Sequence, residues 1–246
     1  MLVLSLFPGI GLLDMAFEEA GFCVVRGPDV LWGGDIRKFH PPAGKFDGVI
    51  GGPPCQCFSR LAHMVRHNGY EPKFGNLIPE FERCCCEASP EWWLMENVPD
   101  APLPIVAGYA TWSCLLNNRQ LGEAQNRVRR WTFGIEGQRY KILMIDTVAL
   151  ESIEFEYAAT GGSAKPIAVG GSGKPKKFRD GKGKLPWNAK SCKAFAEVRR
   201  KQGLPDEFDL EPFTIAAKCK AVGNGVPLAM GRALAKAVKE ATRHSP

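Results

Sequence analysis

Long apolar runs are missing from this chain of 246 residues: none approaches the ~18 residues needed to cross a bilayer, and the stretch from Met1 to Phe7 lacks the basic flank of a secretion signal. A membrane protein is therefore excluded as an expectation, and a cytoplasmic location is expected. The sequence has no Cys-x-x-Cys pair, and its nine cysteines are an odd number in a long chain without an export signal, so reduced thiols are expected rather than a disulfide framework. Two groupings could bind a metal, Cys84-Cys85-Cys86 and the i, i+4 pair His63 and His67. The cysteine run falls within a helical pattern where small apolar residues suit a core, and no metal is expected. Internal repeats are also absent. With 45% apolar and 24% charged residues the composition is that of an ordinary globular protein, which excludes a disordered or fibrous chain.

Acidic residues are scarce in one place. The stretch from Gly161 to Lys201 holds twelve Lys and Arg against Asp180 and Glu197, an excess larger than the net charge of +6 for the whole chain. One segment thus supplies all of the net basicity. It suits a polyanion such as nucleic acid, or else forms a solvated, solubilising stretch. From Thr160 to Lys184 the residues are mainly Gly, Lys, Pro and Ser without apolar period, which predicts a loop.

The remainder alternates between strand and helix signals. Met1 to Phe7 predicts a buried strand, Pro8-Gly9-Ile10-Gly11 a tight turn, and Leu13, Ala16, Phe17 and Ala20 a helix that stops at Gly21. Strands are predicted at Phe22–Val25, Asp47–Ile50 and Trp92–Met95, with a helix over Leu77–Ala88. Further strands are predicted at Tyr109–Leu116, Arg130–Phe133 and Lys141–Asp146. Ala189–Lys201 predicts a basic helix. Pro227 suits the first position of a last helix, with Met230, Ala233, Leu234, Ala237 and Val238 on its apolar face. This order is that of a doubly wound α/β domain, Rossmann-like, with a boundary near Gly134 to Gln138.

Four groups of residues suggest chemistry. The turn Phe7-Pro8-Gly9-Ile10-Gly11 after a first strand lets backbone approach a nucleotide-like ligand, although such turns also serve tight packing. Asp29 follows the second strand, where a carboxylate can accept from ribose hydroxyls. Asp35 in Gly34-Asp35-Ile36 could accept from an adenine amino group or cap a turn. Cys55, in Pro53-Pro54-Cys55-Gln56-Cys57, sits in a proline-stiffened loop at the carboxyl end of a strand, where a thiolate can attack electrophilic carbon. A buried structural cysteine is the alternative. Glu96, in Glu96-Asn97-Val98-Pro99, ends the next strand on the same edge and could handle a proton beside that thiol, or simply cap.

Taken together and in order, these segments resemble the DNA (cytosine-5) methyltransferase family. Phe7-Pro8-Gly9-Ile10-Gly11 is similar to its first motif, Asp29 and Gly34-Asp35-Ile36 to the next two, Pro53-Pro54-Cys55-Gln56 to its nucleophile loop, and Leu77 with Arg83 to the following helix. Glu96-Asn97-Val98 resembles the glutamate motif, and Gln125-Asn126-Arg127-Val128-Arg129 fits Gln-x-Arg-x-Arg. Gln202-Gly203-Leu204-Pro205-Asp206-Glu207-Phe208 is similar to the segment before the last motif, and Gly223-Asn224-Gly225-Val226-Pro227 to that motif. Two departures stand out. Gly225 replaces the usual Ser or Ala, and Cys57 occupies a variable position beside the nucleophile.

The resemblance implies an S-adenosylmethionine-dependent methyltransferase domain, 1–134, a small basic target recognition domain, 135–216, and a carboxy-terminal segment, 217–246, packing back on the first. It implies catalytic roles for Cys55, Glu96, Arg127 and Arg129, the two arginines holding the target nucleotide's carbonyl oxygen or phosphate. By the same resemblance Phe7, Gly9, Ile10, Gly11, Leu12, Asp29, Asp35, Ile36, Pro54, Leu77, Asn224 and Val226 bind S-adenosylmethionine. The expected partner is double-stranded DNA, the expected state a monomer, and the expected setting DNA modification of the restriction-modification kind. Methylation of transfer RNA, or nucleic-acid binding without catalysis, are the alternatives.

Overall fold

The computed structural model describes residues 1–58, 75–138, 140–149, 156–157 and 192–243. His63, His67 and most of the basic stretch, 161–191, lie outside the described residues.

Six strands form one sheet: β1 (Leu2–Leu6), β2 (Cys23–Arg26), β3 (Gly48–Gly51), β4 (Trp92–Asn97), β5 (Tyr109–Asn117) and β7 (Val128–Glu136), in the order β2-β1-β3-β4-β7-β5. The first four are parallel, and β7 runs antiparallel to both β4 and β5. β1, β3 and β4 are buried nearly throughout, as strands covered on both faces must be. One face packs on α1 (Leu12–Glu19) and on α5 (Leu228–Ala241), through Val3, Phe17, Ile50, Trp92, Leu94, Trp131, Met230 and Leu234. The other face packs on α2 (Ile78–Ala88) through Leu4, Leu6, Val49, Phe81, Cys84, Cys85, Trp93 and Met95. Cys84 and Cys85 are thus core residues, and among the described residues no metal-binding cluster forms.

β4 puts a tryptophan on each face, and each lies over a glycine directly opposite in the ladder. Trp92 pairs with Gly48 and Trp93 with Gly134. A Cβ on Gly48 would meet the Trp92 ring at 2.1 Å, and one on Gly134 would meet the Trp93 ring at 2.1 Å. The indoles fill the space that two side chains would have taken, which explains glycine inside otherwise β-branched and aromatic strands.

A second, smaller cluster joins α1 to α3 (Cys192–Lys201) and α4 (Ile215–Asn224). Leu12 and Ala16 meet Phe195, Val198, Leu204, Cys219, Val222 and Leu228 there. A two-stranded sheet pairs β6 (Gln125–Asn126) with β8 (Glu156–Tyr157).

The predicted elements hold with two corrections. Lys141–Asp146 is extended but joins neither sheet. Its alternation is met by packing, with Leu143 buried and Ile145 half-buried on the α5 face while Ile142 and Met144 point outward. Pro227 precedes the last helix instead of opening it, since its ψ of 135° is not helical. The crossover from β4 to β5, residues 98–108, carries no helix and covers the sheet with Ala101 and Val106 instead, leaving Leu103 and Ile105 exposed. No helix among the described residues is long and apolar enough to span a membrane.

Gly134→Ala is expected to destabilise the fold by about 1–3 kcal/mol through overpacking against Trp93, read as a lower midpoint of urea unfolding at unchanged slope.

Candidate active site and cofactor cleft

Parallel strands deliver their following loops to one edge, and this edge collects the predicted residues. β1 ends at the turn from Phe7 to Gly11, in which Phe7 (φ 56°), Gly9 (φ 56°) and Gly11 (φ 81°) are left-handed. Asp29 ties that turn down. Its Oδ2 accepts from the Gly9 N–H at 3.0 Å and its Oδ1 from the Leu31 N–H at 2.7 Å, while the Trp32 indole donates to the Gly9 carbonyl at 2.8 Å. Asp35 accepts from the Arg37 backbone and side chain, and those contacts hold its carboxyl below the usual carboxylate range. Arg83 of α2 donates to the Ile36 carbonyl at 2.8 Å and pairs with Glu80 and Glu87, fixing that turn to the sheet.

Phe7, Asp29, Asp35, Ile36, Pro54 and Leu77 line one cleft of about 210 Å³. Pro28, Val30 and Arg37 also line it and were not singled out by sequence. Apolar walls with two carboxylates suit a nucleoside-type ligand: a flat base against Phe7, Ile36 and Leu77, and hydroxyl or amino donors toward the remaining lone pairs of Asp29 and Asp35. These residues therefore fit the nucleoside end of S-adenosylmethionine. Ile10 and Leu12 instead pack in the cluster with α3 and α4, Val226 joins the α5 face half-buried, and Asn224 is exposed. None of these four lines the cleft.

Next along the edge stands Cys55. The Asn97 amide of β4 donates to the Pro53 carbonyl at 3.3 Å, and the Phe58 N–H to the Cys55 carbonyl at 3.0 Å, so the loop is tied before and after the thiol. Gly52 lets the loop pass the Glu96 carboxylate, since a Cβ there would lie 3.2 Å from Oε2. Glu96 pairs with Trp131, two residues from Arg129 on the same face of β7, and that diagonal closes as an ion pair of 2.8 Å. Burial and then the Glu96 carboxylate push the Cys55 thiol above its ordinary pKa, while Arg129 and Arg127 pull it down. At rest the thiol is protonated.

Arg127 points toward backbone carbonyls. It is 4% exposed, and its two Nη atoms donate to the Gly223 and Gly225 carbonyls at 3.0 Å each. Burial, with Arg129 beside it, pushes its pKa down to about 9. Arg129 faces the carboxylate; Arg127 faces the turn between α4 and α5.

Residues 31–102, which include Asp35, Cys55, Leu77 and Glu96, match the family model described as C-5 cytosine-specific DNA methylase. The type II methyltransferase M.FnuDI of Fusobacterium nucleatum is 32% identical over 163 residues, 54% of this chain and 46% of that protein. The type II methyltransferase M.MthTI of Methanothermobacter thermautotrophicus is 25% identical over 97% of both chains. The chain is similar to the cytosine-5 DNA methyltransferases. The fold agrees: the crystal structure of the S. pombe Dnmt2 methyltransferase superposes with a TM-score of 0.61 at 14% identity, covering 99% of this chain and 100% of that one. Matches to the strongest curated relatives span less than half of their length.

The chain's departure from the family at Gly225 has a local cause. A Cβ at this position would lie 2.7 Å from Leu12 Cδ1, so glycine lets a fully buried leucine pack against the turn. Cys57 is half-buried beside Cys55 and shares its turn.

Two outcomes are expected. Gly225→Ala should cost about 1–3 kcal/mol in chemical unfolding, because Leu12 has no free space to move into. Glu96→Gln should accelerate iodoacetamide labelling of Cys55 at fixed pH near 8, since the carboxylate opposes the thiolate and both arginines favour it. Mass mapping of the Cys55 peptide checks this, and slower labelling would contradict the assigned electrostatics.

Proposed function

We propose that the protein transfers a methyl group from S-adenosylmethionine to carbon 5 of cytosine in DNA, through a covalent adduct at Cys55. The observation that carries this reading is the convergence of Cys55, Glu96 and Arg129 on one sheet edge beside a nucleoside-sized cleft. Similarity to the C-5 cytosine-specific DNA methylase model supports it, and so does the methyltransferase activity in the names of similar proteins.

Cytosine carbon 5 is a poor nucleophile, and a covalent step removes that difficulty. The Cys55 thiolate adds to ring carbon 6, and the electron pair displaced toward carbon 5 makes an enamine. The Glu96 carboxylate takes the proton that the Cys55 thiol gives up and holds it against ring nitrogen 3, where it meets the charge that develops as the adduct forms. This arrangement also switches on the nucleophile. While the Glu96 carboxyl holds that proton it no longer opposes the thiolate, and the guanidinium groups of Arg129 and Arg127 remain to stabilise it. Arg129 is freed by the same event to hold the base's carbonyl oxygen. S-adenosylmethionine supplies the methyl group as an electrophilic carbon on sulfonium. Carbon 5 takes it, loses its proton to water, and releases Cys55, which restores the aromatic ring.

In a duplex the target base must leave the stack, at a cost of a few kcal/mol. The stretch 135–216 would grip the backbone, with its lysines contacting phosphate. Its described part, α3, ends in Arg199, Arg200 and Lys201.

The test is methyl transfer from tritiated cofactor to duplex DNA and, in parallel, to transfer RNA. Incorporation into DNA at carbon 5, lost by about a thousandfold or more in Cys55→Ala, is expected. Incorporation into transfer RNA alone would move the assignment to RNA, and an active Cys55→Ala would end the covalent mechanism. DNA affinity should fall steeply as salt rises from 50 to 200 mM, measured by fluorescence anisotropy; unchanged affinity would remove phosphate gripping from the account.

A further inference from the structure

We infer that Arg127 and Gln202 are positioning residues that together clamp the turn between α4 and α5 against the cofactor side of the site, and that Arg127 does not touch the target base. The inference rests on the proposed methyl-transfer reading and assigns a task within it that the sequence placed elsewhere.

In the turn from Val222 to Val226 the Val222 carbonyl accepts from the Gly225 N–H at 3.1 Å, and the Gly223 and Gly225 carbonyls lie past the reach of helix bonding. Two side chains from separate parts of the chain satisfy them. Arg127, between β6 and β7, donates to the Gly223 and Gly225 carbonyls. Gln202, just past the end of α3 and fully buried, donates to the Val222 carbonyl at 2.7 Å and to the same Gly225 carbonyl at 3.1 Å. The Gly225 carbonyl therefore has both lone pairs engaged, one by each side chain. The Gln202 backbone closes the figure: its carbonyl accepts from the Leu228 N–H at 2.9 Å, in the first turn of α5. Gln125 donates to the Lys201 carbonyl, tying β6 to the end of α3.

This junction has a direct neighbour in the cofactor half. Gly225 lies against Leu12, the first residue of α1, directly after the turn whose Phe7 lines the cleft. Any shift of the turn is passed to Leu12, and so to the turn whose Gly9 is bonded to Asp29. A buried guanidinium with donors committed to two carbonyls has a large penalty for leaving them, since those carbonyls would remain buried without donors. Arg129, two residues away, donates to the neighbouring Val128 carbonyl at 2.8 Å, makes no bond to this turn, and faces Glu96. Arg127 stands before β7 and Arg129 within it, and the two arginines of one motif take different partners. Arg129 serves the target, and Arg127 shapes the cofactor end.

The two roles differ in what they do before nucleic acid is present. Calorimetric titration of the protein alone with S-adenosylhomocysteine reads only the cofactor end. Arg127→Ala and Gln202→Glu are expected to weaken that binding by about tenfold or more, the second because it sets a carboxylate against two carbonyls. Arg127→Lys, which reaches one carbonyl, should recover part of the loss, and Arg129→Met should bind within about twofold of the unsubstituted protein. Cofactor binding unchanged in Arg127→Ala, together with lost methyl transfer, would overturn the inference and return Arg127 to the target base.

Thermal unfolding followed by circular dichroism accompanies each variant. Should Arg127→Ala lose its cooperative transition, Arg127→Lys and Gln202→Glu decide the question by the same titration. Absence of binding in the unsubstituted protein would instead count against the methyl-transfer reading. The clamp is then read by hydrogen exchange: the Leu228 amide should lose protection in Gln202→Glu, and retained protection refutes the clamp.

Discussion

The ion pair between Glu96 and Arg129 depends on the one antiparallel strand in an otherwise parallel core. β4 runs with its parallel neighbours and delivers Glu96 to the carboxyl edge. β7 runs the opposite way, so it enters the sheet at that edge, and the arginine motif is met at its beginning rather than its end. A parallel strand in that place would carry its first residues to the far side of the sheet. The pairing of Glu96 with Trp131 then leaves Arg129 on the diagonal, on the same face, within reach of the carboxylate. Burial first and then the Glu96 carboxylate of that pair push the Cys55 thiol up, and a bound base that engages Glu96 could relieve the second.

The sheet is held rigid where this chemistry needs it. Trp92 and Trp93 lie over Gly48 and Gly134 on opposite faces, so β4 is locked to β3 on one side and to β7 on the other. These are the strands that carry Cys55, Glu96 and Arg129. Positions held by packed tryptophans leave little play, and a site assembled on strands keeps its geometry better than one assembled on loops. The cofactor side is built differently. Its walls come from turns tied by side chains: Asp29 to Gly9, Arg83 to Ile36, and Arg127 with Gln202 to Gly225.

Much of this was legible in advance. Apolar runs ending in Gly or Pro marked the strands and their exits, because a buried parallel strand must be apolar throughout and its following turn must reverse sharply. The order of motifs named the residues at the edge, and Phe7, Asp29, Asp35, Ile36, Pro54 and Leu77 do share one cleft. Lys141–Asp146 misled because alternation reports which side chains are buried, not whether the backbone finds a partner strand. The crossover after β4 lacked any periodic signal, consistent with its lack of a helix. Arg37 was not singled out, since a lone polar residue in a turn carries no pattern to mark it, and Asn97 and Gln202 lay inside motif segments that named no task for them.

The sequence by itself determined the layering, the polarity of the strands' exits and the residue types collected at one edge, because those follow from local periodicity and the order of motifs. Only the tertiary structure decided which partner each polar group takes. Arg127 and Gly225 stand nearly a hundred residues apart, and a bond from a side chain to a distant backbone carbonyl needs no particular residue type at the acceptor. It therefore leaves no trace in the acceptor's sequence. Two arginines of one motif look equivalent when read along the chain, and the sheet separates them by handing one a carboxylate and the other a turn.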